Sequence, residues 1–129
     1  MAIQIGDQLP HFKAIQQDGN AFDTVLIQQK PVVIYFYPKD FTPGCTTQAC
    51  SFRDAYQDFQ DLGAEVIGIS GDSASSHQDF QKKHNLPFIL LSDSDRKLRK
   101  LFGVPTALFG LVPGRVTYVF DASGKCIYI

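Results

Sequence analysis

Two cysteines and a proline-bounded loop carry the chemistry open to this sequence. Cys45 closes the stretch Pro38-Lys39-Asp40-Phe41-Thr42-Pro43-Gly44-Cys45, and Cys50 follows five residues on. From Cys45 the pattern is helical, so this thiol stands at a helix N-terminus. Unsatisfied N–H groups and the positive end of the dipole favour an anion there, and the thiolate is the reactive form of cysteine. Such a thiol with a second one nearby suits attack on a peroxide. The first sulfur becomes a sulfenic acid, and the second condenses with it to a disulfide and water. Thr42 can hold a hydroxyl over the thiol as donor and acceptor. Pro43 can cap one side of the loop and limit solvent, and the N–H groups of Gly44 and Cys45 can face substrate oxygens. Arg115, heading an apolar strand after Pro113-Gly114, is the best-placed cation, always charged and donating in a fork.

The spacing of the two thiols constrains how they can meet. On a helix they differ by about 7.5 Å in rise and about 140° in rotation, which puts their Cα atoms roughly 8.6 Å apart. That exceeds the ~7 Å reach of a disulfide. The bond therefore requires local unwinding, and the segment has two states: wound with a free Cys45, or unwound and bridged. Four intervening residues also distinguish the pair from Cys-x-x-Cys, the dithiol-exchange spacing.

The elements that must position these groups follow from the apolar pattern. Val32 to Tyr37, after Lys30-Pro31 and before Pro38, reads as a central buried strand. Cys45 to Leu62 reads as a helix with Ala49, Phe52, Ala55, Tyr56 and Phe59 on one face, ended by Gly63. Glu65 to Ser70 and Phe88 to Leu91 are further strands. Asp72 to Ser75 supply caps for a helix from about Ser75 to His84, and Asp93-Ser94-Asp95 cap a short basic helix from Arg96 to Phe102. Val104 to Gly114 reads as a loop, and Arg115 to Phe120 and Lys125 to Ile129 as strands about an Asp121–Gly124 turn. Before Val32, Gly6–Pro10 and Asp18-Gly19-Asn20 read as turns flanking short extended pieces. Alternating strands and helices predict an α/β sheet covered on both faces.

At 129 residues the chain reads as a single domain, 1–129, able to bury a core without a disulfide scaffold. A net charge of −1 gives no reason to expect nucleic acid or an anionic membrane as partner. No apolar run approaches a bilayer span, and the N-terminus lacks the pattern of a signal peptide. Three cysteines, Cys45, Cys50 and Cys126, are too few and odd in number for a secreted framework. They point to a reducing compartment, with cytoplasmic placement expected.

Pro38-x-x-x-Thr42-x-x-Cys45 matches the active-site signature of the peroxiredoxins. The longer string Tyr35 to Asp54 closely resembles the peroxiredoxin Q (bacterioferritin comigratory protein) branch. Further similarity runs through Gly63–Ser70, Leu86–Phe88, Leu91–Asp93, Gly103–Pro105, Leu108–Gly110 and Pro113–Asp121, and looks closest to plant and cyanobacterial members. The resemblance implies a thioredoxin-like α/β fold, a central mixed sheet flanked by helices. It implies Cys45 as peroxidatic and Cys50 as resolving cysteine, with Thr42 and Arg115 as companions and Pro38 and Pro43 shaping the pocket. It further implies a peroxide substrate, no metal, haem or flavin, recycling by thioredoxin, and a monomer or weak homodimer. For a mature organellar chain it implies a plastid stroma or lumen. The family continues into a C-terminal helix after the last strand. This sequence stops at Ile129, so that sheet surface is expected to lack that cover.

Two other readings use the same residues. A redox-switched holdase or binding module would need the cysteine pair but no fast peroxide reaction. A cysteine hydrolase would need a base beside the nucleophile, and no local signature supplies one. Cys126 reads as a packed thiol. His11, His77 and His84 read as surface or capping residues, and the Arg96, Lys97, Arg99, Lys100 cluster as a solvated helix face. Gln48 and Arg53 lie on the active helix, where Arg53 either supports the arginine at the site or is simply solvated.

Overall fold

The computed structural model describes residues 2–107 and 112–129. The part of the Val104–Gly114 loop from 108 to 111, with the Leu108–Gly110 motif, lies outside the described residues. Strand β1 (Lys13–Gln16) turns through Asp18 and Gly19 into β2 (Ala21–Asp23), and a 3-10 turn (Thr24–Ile27) leads to β3 (Val32–Phe36). Then follow α1 (Pro43–Asp61), β4 (Glu65–Ser70), α2 (Ala74–His84), β5 (Ile89–Ser92) and α3 (Lys97–Phe102). A two-stranded ribbon, β6 (Thr106–Ala107) with β7 (Val112–Pro113), precedes β8 (Val116–Phe120) and β9 (Cys126–Tyr128). The expected loop from Val104 to Gly114 thus contains a short antiparallel ribbon.

The main sheet has the order β2-β1-β5-β4-β3-β8-β9. Strands β3, β4 and β5 run parallel, and β1, β8 and β9 join antiparallel. Alternation along β3 sorts the core into two layers. Val32, Ile34 and Phe36 pack with Leu98, Phe102, Tyr118 and Phe120. Val33, Tyr35 and Tyr37 pack with Cys45, Ala49, Phe80 and Phe88. One face is therefore closed by α3, the other by α1 and α2. Gly68 on β4 makes room for Tyr35, since a Cβ there would stand 2.8 Å from the phenol ring carbon Cζ. On β9, at the sheet edge, Ile127 and Tyr128 are exposed.

Helix ends follow their local chemistry. Ser73 caps α2 by accepting from the Ser76 N–H at 3.1 Å, and Asn85 leaves it in the left-handed region. Helix α3 starts at Lys97, one residue later than expected, because Arg96 is itself left-handed. Asp93 does the capping, accepting from the N–H groups of Leu98 (2.8 Å) and Arg99 (3.0 Å).

Candidate active site

Strand β3 ends at Phe36, and the loop after it delivers the chain to α1. Thr42 is the N-cap, Pro43 and Gly44 the first two helical residues and Cys45 the third. Proline suits the first position, where its missing N–H has no partner to lose. The Thr42 side chain makes no capping bond at this end, so the early N–H groups keep their capacity for an anion. The helix begins two residues earlier than Cys45, placing the thiol inside the first turn.

Cys45 is 1% exposed. Its Sγ accepts a hydrogen bond from Nη2 of Arg115 at 3.2 Å. The other guanidinium nitrogen, Nη1, donates to Oε1 of Gln48. Gln48 lies three residues after Cys45 on the same helix face, and it holds the fork across the sulfur. Gly44 lies against the guanidinium, since a Cβ there would come within 3.4 Å of Nη2. A guanidinium donor on the sulfur and a helix N-terminus beneath it set two electropositive groups beside Cys45.

The remaining expected residues are placed as follows. The Thr42 hydroxyl donates to the Lys39 carbonyl at 3.0 Å rather than to Cys45, so it fixes the loop and leaves its lone pairs open. Pro38 is half-buried where the loop leaves β3, and Pro43 is exposed. The thiol is screened chiefly by its packing with residues such as Tyr35, Tyr37 and Ala49. Cys50 is half-buried further along the same unbroken helix, and both thiols are free. Arg53 does not reach Arg115. It donates to the His84 carbonyl at 2.8 Å and to Asp54 at 3.0 Å, tying α1 to the end of α2. Cys126 is buried, its Sγ 3.6 Å from the Tyr128 carbonyl, and burial pushes its thiol up, away from the reactive form.

Two polar groups are in the core where the sequence suggested solvent. His77 is fully buried: Nδ1 lies 2.7 Å from Oδ2 of Asp40 and Nε2 lies 3.0 Å from the Leu91 carbonyl. Asp40, in the loop before Cys45, also accepts from the Tyr37 hydroxyl (2.6 Å) and the Ser76 hydroxyl (2.8 Å), while its N–H donates to Asp72 at 2.8 Å. Ligand atoms of Asp40, Asp72 and His77 lie within 4.8 Å of one another, and each is already engaged by protein partners. Arg99, expected on a solvated face, is buried at 7% exposure. Both positions had a sequence signal: His77 is three residues before Phe80 and Arg99 three before Phe102, on the core-facing side of their helices.

A model of the AhpC/TSA family matches residues 5–129. Peroxiredoxin Q, chloroplastic, of Oryza sativa subsp. japonica is 56% identical over 124 residues, 96% of this chain and 57% of that protein. The chain belongs to the AhpC/TSA family, in its peroxiredoxin Q branch. It spans a little over half the length of such curated relatives. Peroxidoxin BcpB from Mycobacterium tuberculosis superposes with a TM-score of 0.86 at 35% identity, over 96% of this chain and 82% of that one. A mutant PrxQ from Xylella fastidiosa superposes with a TM-score of 0.92 at 29% identity, over 99% and 85%. The mixed sheet with α1 and α2 on one face and α3 on the other is the thioredoxin-like fold of this family.

Proposed function

We propose that the protein is a thiol peroxidase that reduces hydrogen peroxide and alkyl hydroperoxides at Cys45. The observation that carries this reading is the Arg115 guanidinium on the Cys45 sulfur at the start of α1. The thiolate attacks the nearer peroxide oxygen, and the O–O bond breaks. The leaving oxygen departs as water or an alcohol after taking a proton, and Cys45 is left as sulfenic acid. Arg115 and the N–H groups of Gly44 and Cys45 stabilise the charge as it moves from sulfur to oxygen. Thr42 presents its open lone pairs to the peroxide hydrogen, and Pro38 and Pro43 fix the loop around it.

Cys50 then resolves the sulfenic acid. Its sulfur attacks Sγ of Cys45, the hydroxyl leaves as water, and a Cys45–Cys50 disulfide remains. Helix spacing holds the two Cα atoms about 8.6 Å apart, so the first turns of α1 must open. An external dithiol, thioredoxin or a protein like it, returns both thiols. In this reading residues 1–129 act as one domain, monomeric or weakly dimeric, without metal, haem or flavin. They work in the cytoplasm or in a plastid, the latter favoured by the chloroplastic relatives.

Mass spectrometry after one equivalent of hydrogen peroxide tests the chemistry. The expected product is a single Cys45–Cys50 disulfide, and in Cys50→Ser a Cys45 sulfenic acid that dimedone traps. A product centred on Cys126, or no oxidation within minutes, contradicts the reading.

A further inference from the structure

We propose that Arg99 is a positioning residue for peroxide attack, acting through Arg115. The inference rests on the peroxidase reading and extends it to a residue outside the site. The buried guanidinium of Arg99 donates from Nη2 to the Tyr37 carbonyl at 2.8 Å and from Nη1 to the Gly114 carbonyl at 2.9 Å. Tyr37 is the residue before Pro38, where the Cys45 loop begins. Gly114 is the residue before Arg115. One planar fork therefore ties together the two backbone segments that carry the sulfur and its cation.

The clamp is itself held rigidly. The Arg99 N–H is fixed by Asp93 at 3.0 Å, and the Arg99 carbonyl accepts from Val104 at 3.0 Å. The guanidinium lies over the Phe36 ring, 5.6 Å from its centroid. On the other side Gly114 is pressed against the chain, since a Cβ there would meet the Pro105 carbonyl oxygen at 2.0 Å. The Gly114 carbonyl can thus be gripped close to the sheet, and Arg115 leaves from a fixed point toward Cys45. Even with Asp93 as a nearby counter-charge, burying a guanidinium on two carbonyls is a costly way to stabilise a core. It is an effective way to set a distance between two strands, because a fork spans two acceptors that an ammonium cannot.

The test compares Arg99→Lys and Arg99→Met, each with Arg115 present and with Arg115→Ala. The rate of Cys45 oxidation by hydrogen peroxide is read by rapid quench and mass spectrometry. Iodoacetamide alkylation of Cys45 is measured in parallel. With Arg115 present, Arg99→Lys is expected to slow oxidation about 10- to 100-fold, the scale of a misplaced catalytic contact. In the Arg115→Ala background it should change the rate less than about twofold, because the group it positions is gone. Equal slowing in both backgrounds, or no slowing with Arg115 present, overturns the proposal. So does loss of the fold in both Arg99 variants, which would make the residue a core strut. If wild type fails to reduce peroxide, the peroxidase reading falls by itself. The alkylation rates then still report whether Arg99 governs the Arg115 contact, by the same pattern of dependence on Arg115.

Discussion

Exchange of Cys45 for serine is expected to abolish peroxide reduction while leaving the fold intact. The side chains are nearly equal in size, so the buried position can accept either. The chemistry differs because a serine hydroxyl stays protonated at neutral pH and is a poor nucleophile toward an O–O bond, whereas a thiolate is a good one. The guanidinium at 3.2 Å would then face a neutral hydroxyl and have no anion to stabilise. The remaining thiols cannot substitute. Cys50 lies further along α1, away from the helix start, and Cys126 is packed in the other core layer against the α3 side of the sheet. Peroxide consumption coupled to thioredoxin oxidation measures this. A Cys45→Ser protein that consumed peroxide as fast as wild type would end the peroxidase reading.

His77→Ala is expected to destabilise the protein by about 3 kcal/mol, the scale of leaving buried polar partners unsatisfied and a cavity behind. Asp40 is 3% exposed and His77 fully buried. Alanine removes the ring nitrogen 2.7 Å from the carboxylate and the partner of the Leu91 carbonyl, and leaves a cavity between α2 and β5. The Tyr37 and Ser76 hydroxyls still hold Asp40, which keeps the cost from being larger. For a domain of this size, whose total stability is of order 5–15 kcal/mol, the loss is large. Urea unfolding at neutral pH should show a lower midpoint at an unchanged slope. A midpoint matching wild type would mean that the network contributes nothing net. Because Asp40 sits in the loop between β3 and Cys45, the same variant should also loosen the approach to the active helix.

Much of this architecture is written in local pattern. Glu65–Ser70 is the strand its apolar residues predict, and β3 lies inside the apolar run that ends at Pro38. The α1 face of Ala49, Phe52, Tyr56 and Phe59 packs on the core layer that holds Cys45. The β1–β2 hairpin is visible only as turns around short extended pieces, since strands of four and three residues carry too few alternations to read. Arg115 could be singled out by its place at a strand head, but its contact with Cys45 depends on the antiparallel pairing of β3 with β8. That pairing joins residues eighty or more positions apart in sequence.

Arg99 and His77 look solvated in the sequence for one physical reason. A charged or titratable residue on a core-facing helix position looks like a solvated one until its partners are known. The partners of Arg99 are two carbonyls, at Tyr37 and Gly114. Those of His77 are a carboxylate and a carbonyl, at Asp40 and Leu91. Backbone carbonyls have no residue type, so no pattern of letters announces them. The three-residue offset from Phe80 and Phe102 is the remaining clue, and it indicates a face rather than a partner.

In the proposed resolving step α1 opens before its two sulfurs bond. Amide hydrogen exchange across Pro43–Ser51, compared between the reduced protein and the protein oxidised by one equivalent of peroxide, measures this directly. The expected result is protected amides in the reduced state and lost protection over Thr46–Ser51 once the disulfide forms, with β3 and β4 unchanged. A Cys45–Cys50 disulfide in a helix still fully protected would contradict it.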